Sequence, residues 1–66
     1  MRLLEISIYY SESAARLRGR MQELRDMEKA EADPEQARRI RRRIEVLAGI
    51  WRETRDIAAL TAHYYD

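Results

Sequence analysis

The chain has no cysteine and no phenylalanine, and its 66 residues include one proline, one histidine and two glycines. Without cysteine no disulfide can staple the fold, and a single histidine leaves no structural zinc site. A chain this short buries only about 60% of the surface it exposes when unfolded. With neither bridge nor metal available, self-association or a partner is the expected source of stability. An excess of one charge is lacking too: 13 Lys and Arg stand against 12 Asp and Glu, a net charge of +1. Hydrophobic residues at 45% argue against disorder, and charged residues at 38% argue against a membrane span. No basic, apolar and small-residue leader pattern opens the sequence. Together these features predict one cytoplasmic domain over residues 1–66, with no membrane partner, no cofactor and no metal.

The lone proline is the clearest punctuation. In Asp33-Pro34-Glu35-Gln36, Asp33 suits a helix N-cap, because its carboxylate can accept from the free first-turn amides. Pro34 suits the first helical position, where its missing N–H costs nothing. Glu35 complements the positive end of the helix dipole, and Gln36 completes a capping-box pattern. The sequence therefore predicts helices over about 3–30 and 34–64 with a turn at 31–33. So short a connection makes the two helices antiparallel neighbours. A second reading exists for the start. Leu4-Glu5-Ile6-Ser7-Ile8 alternates as a strand does, with Ser11 or Ser13 capping a shorter helix. That layout would resemble ribbon-helix-helix repressors, but Glu5, Ser7 and Tyr9 would face the groove and none is basic.

Apolar spacing gives the faces. Ala37, Ile40, Ile44, Leu47, Trp51, Thr54, Ala58, Thr61 and Tyr65 recur every three or four residues, as one helix face does. Leu3, Ile6, Tyr10, Ala14, Leu17, Met21, Leu24 and Glu28 do so upstream. A turn near residues 31–32 pairs Leu17 with Leu47, Leu24 with Ile40, Leu3 with Thr61, and Ile6 with Ile57 or Ala58. Ala14 then faces Trp51, a small residue opposite the largest. One neighbouring helix cannot cover the whole apolar arc. Tyr9, Val46, Ile50, Ile57, Leu60 and Tyr64 are left on the border as the expected self-association surface. Leu4, Ile8 and Tyr65, at the end holding both termini, form an expected patch for a protein partner.

The charge is carried by twelve arginines and one lysine. Arg16, Arg20, Arg38, Arg39, Arg42 and Arg43 would form a basic girdle below an acidic tip, and they are the candidates for nucleic-acid contact. Pairs at i,i+4 (Glu12–Arg16, Glu35–Arg39, Arg41–Glu45, Arg52–Asp56) would contribute ~0.2–0.5 kcal/mol each in the favourable orientation. No phosphate loop, carboxylate cluster or metal-ligand spacing occurs in the sequence. His63 lies at the chain end, far from Ser7, Ser11 and Ser13, so no catalytic residue is assigned and the chain is not read as an enzyme.

In layout the chain resembles the Rop family of small plasmid RNA-modulator proteins: similar length, two antiparallel helices and one tight turn. The likeness is one of architecture and carries over no RNA-contacting residue. The ends, Leu4-Glu5-Ile6-Ser7-Ile8-Tyr9-Tyr10 and Leu60-Thr61-Ala62-His63-Tyr64-Tyr65, and the Asp33-Pro34-Glu35 turn resemble short helical reading frames of phages and integrative elements. That resemblance implies a helical hairpin and brings no activity with it. The expectation is an all-α antiparallel hairpin that associates into a four-helix bundle, as a homodimer or higher homo-oligomer. Its expected role is that of a small interaction or regulatory protein docking a protein partner, with nucleic-acid binding as the alternative.

Overall fold

A computed structural model describes residues 2–65, with side chains as far as Tyr64. It consists of α1 (Leu3–Ala30) and α2 (Pro34–Tyr65), packed against each other as a rod of 48 × 16 × 14 Å. Helix begins at Leu3, so the strand reading of residues 4–8 is not realised. Burial explains why: Ser7 and Ala14 are held against α2, and a strand period would turn alternate members of that face outward.

The turn forms as its sequence dictates. The Asp33 carboxylate accepts from the Glu35 amide (3.0 Å), and the Asp33 carbonyl accepts from the Ala37 amide (2.9 Å). Pro34 occupies the first helical position. The capping box with Gln36 is replaced. Glu31 takes the Asp33 amide through its carboxylate (3.1 Å), while its own amide donates to the Glu28 carbonyl (3.2 Å) and closes α1. At the other end the Glu5 carboxylate accepts from the Arg2 amide (3.4 Å).

The core is a narrow seam. Among the described residues Ala14, Met21, Leu24 and Ala58 are buried, together with one polar residue, Ser7. On α1 the buried and half-buried positions Ser7, Tyr10, Ala14, Leu17, Met21, Leu24 and Glu28 step alternately by three and four, the period of a coiled-coil seam. The Ser7 hydroxyl donates to the Ala58 carbonyl (3.3 Å), which fixes the register between the helices. Moving by whole heptads from that bond sets Ala14 level with Trp51 and Met21 level with Ile44, in the register expected from the turn. Two expectations need correction. Ser7, not Ile6, lies on the seam, because a small side chain permits the close approach that its bond to Ala58 requires; Ile6 is only half-buried on the border. Leu3 is exposed, since it stands at the open end of the rod where α2 covers it little.

Candidate functional site

α2 carries two apolar rows. The first faces α1. The second runs Val46, Ile50, Glu53, Ile57, Leu60, Tyr64, again in steps of four and three, and it points away from the core. Its apolar members remain largely in solvent, with Val46 64%, Leu60 55% and Tyr64 71% exposed. α1 adds Tyr9, also exposed, whose ring meets Tyr10 edge-on at 5.3 Å between centroids. The six expected self-association residues are therefore all exposed, and they lie along one side of the hairpin.

That side is grooved. A depression of about 510 Å³ is bordered by Tyr9, Leu17, Ile50 and Arg20 among others. Arg20 also borders the next depression, about 430 Å³, floored by Leu24, Val46 and Leu47. Leu24 and Arg43 lead on to a third, which reaches Met27 and Ile40 near the turn. Leu17, Leu24, Ile40 and Leu47 give the lining its aliphatic part, joined by Tyr10 and Thr54 towards the termini. The rim is aromatic towards the termini and cationic towards the turn. Leu4 and Ile8, exposed as well, fall on the opposite side of α1 by helical periodicity. The side chain of Tyr65, the third residue expected there, lies outside the described residues.

No family model, curated protein or solved structure matches this chain. What the surface can do therefore rests on its own residues.

Arg16, Arg20, Arg39, Arg42 and Arg43 border the groove, and Arg38 lies with Arg39, Arg42 and Glu35 around an adjoining depression. Several are engaged locally. Arg20 pairs with Glu23 (3.0 Å), Arg39 with Glu35 (3.6 Å), and Arg16 donates to the Ser13 hydroxyl (3.1 Å). Of the expected i,i+4 pairs, Glu35–Arg39 is formed. Arg41 turns from Glu45 to the other helix, where its Nε donates to the Glu28 carboxylate at 2.7 Å. That hydrogen bond, followed by the charge of Glu28 itself, raises the Arg41 pKa. Glu28 is the charged member of the α1 seam, and this bond ties it to α2. Sequence spacing could not show a pair thirteen positions apart; the apolar pattern breaking at Glu28 was the available signal.

His63 is exposed, with its ring 5.9 Å from that of Tyr64. Arg55 lies over the Trp51 ring, 4.7 Å from its centroid. Among the described residues no helix is long and apolar enough to cross a membrane.

Proposed function

We propose that this protein is a small, non-enzymatic interaction module of the cytoplasm, which self-associates through its grooved side into a four-helix bundle and docks a protein partner at its terminal end. Exposed area carries the reading. A compact monomer of 7.9 kDa presents about 4,400 Å². The hairpin presents 5312 Å², an excess of about 900 Å². A standard interface takes about 800 Å² from each partner, so one copy covering the groove would remove the excess. The exposed row on α2 supplies the apolar centre that such an interface needs. Leu4 and Ile8, on the other side, stay free in that assembly and are the surface offered to a protein partner.

Sedimentation equilibrium tests the reading. The expected mass is that of a dimer or larger at micromolar concentration, and Ile50→Asp with Ile57→Asp should return it to that of one chain. A wild-type mass of one chain, with helix content intact, rejects self-association.

Nucleic-acid binding is the second reading, favoured by Arg38 and Arg42, which make no ion pair among the described residues. Binding of a duplex or hairpin RNA that weakens steeply with salt, and is lost in the Arg38→Glu, Arg42→Glu variant, would place it first.

A further inference from the structure

The outer row of α2 reads alike in both directions about Glu53. Ile50 and Ile57 flank it at three and four residues, and Val46 and Leu60 lie seven residues to either side. From this pattern we infer that, in the self-associated state proposed above and resting on it, two copies pair with their α2 helices antiparallel, across a two-fold axis at Glu53. Val46 then meets Leu60 of the partner subunit, and Ile50 meets Ile57 of the partner subunit. Every exposed aliphatic residue of the row finds an aliphatic counterpart, and an interface that uses itself up in this way closes as a dimer.

Charge decides the direction. Past Val46 the row continues as Arg43 and Arg39; past Leu60 it continues as Tyr64. A parallel pairing of the rows would stack Arg39 and Arg43 on their own copies, and like charges a few ångströms apart repel. Turning one copy over about the long axis of the rod instead sets α2 on α1. On the register of the Ser7–Ala58 bond, that brings Val46 and Ile50 level with Arg20 and Arg16 of the partner subunit. The antiparallel pairing avoids both and sends the basic girdles to opposite ends. It also sets Arg43 level with the Tyr64 ring of the partner subunit, a cation–π contact of the type Arg55 makes with Trp51 within the chain.

α1 agrees independently. On the same register the axis passes near residues 12–13 of α1. Tyr9 and Arg16 stand on either side, so Tyr9 comes level with Arg16 of the partner subunit, a second ring-and-guanidinium pair. The cost is one carboxylate meeting its own copy at the axis. Glu53 is exposed, and its length lets it turn to solvent.

The cysteine-free chain allows a direct test by disulfide formation under mild oxidation. A disulfide needs Cα atoms within about 7 Å. V46C mixed with L60C should form a cross-linked dimer of one chain of each. E53C should link to its own copy at the axis. V46C alone should not, because the two positions would stand about 21 Å apart along the helices. Cross-linking of V46C to itself, or a dimer by sedimentation in which the V46C and L60C mixture stays unlinked, overturns the antiparallel pairing and leaves self-association standing. A wild-type mass of one chain overturns both.

Discussion

Ser7 and Ala14 decide how closely the two helices lie. Ser7 sends its hydroxyl to the Ala58 carbonyl, and Ala14, 8% exposed, stands one heptad further along, level with Trp51. Adding carbons at Ala14 would push the indole from its place or force the helices apart. Ala14→Leu should cost about 1–3 kcal/mol by overpacking, read as a lower midpoint in chemical denaturation. An unchanged midpoint would mean that Ala14 does not face the indole. The seam residues from Ala14 to Leu24 were legible from apolar spacing alone. Ser7 was not. Spacing by hydrophobicity selects Ile6, whereas the structure selects the residue small enough to let α1 approach the α2 backbone and polar enough to use the carbonyl it meets.

At the scale of the element, the turn was the most legible feature, because Asp33 and Pro34 act through local chemistry that neighbours cannot override. The Asp33 carboxylate is the side-chain acceptor that holds the first turn of α2. Asp33→Ala should cost ~0.5–2 kcal/mol, and Asp33→Asn, which keeps the acceptor, should restore most of it. Thermal melts of the two variants make the comparison. Gly19 lies in mid-α1, exposed, and beyond its own helix backbone nothing stands within 4 Å of where a Cβ would be. Gly19→Ala should therefore stabilise the protein by about 0.5–1 kcal/mol, by removing backbone freedom from the unfolded chain. A loss of stability there would mean that something outside one chain covers that face. The outer row of α2 was legible as an arc too wide for one neighbour. The fate of each arginine was not, since Arg16, Arg20 and Arg41 each chose among several acceptors within reach, and only the packed helices bring Glu28 to Arg41.

The whole molecule is a rod with little interior. Its Cα radius of gyration is 15.0 Å, against about 11 Å for a compact domain of this length. Among the described residues, only Leu24 of the large side chains is fully buried. Burying one large aliphatic side chain contributes ~1.5–3 kcal/mol, while ordering each residue costs about 1–2 kcal/mol of backbone entropy. A seam of four buried apolar residues is a small return on two helices of 28 and 32 residues. Val46, Ile50, Ile57 and Leu60 are 40–64% exposed, so covering them with a second copy would add about half of such a contribution from each. Folding and association should then be one event, and stability should depend on concentration. For two chains unfolding together, a tenfold dilution removes about 1.4 kcal/mol per dimer. With the usual entropy of unfolding per residue this lowers the melting temperature by about 5 °C. Circular dichroism melts across a hundredfold range of concentration would therefore move by about 10 °C. In Ile50→Asp with Ile57→Asp the same dilution should leave the melt, if a cooperative one survives, where it was. A wild-type melt that does not move would mean that the hairpin is sustained by its own narrow seam, and that the outer row of α2 is kept for a partner other than itself.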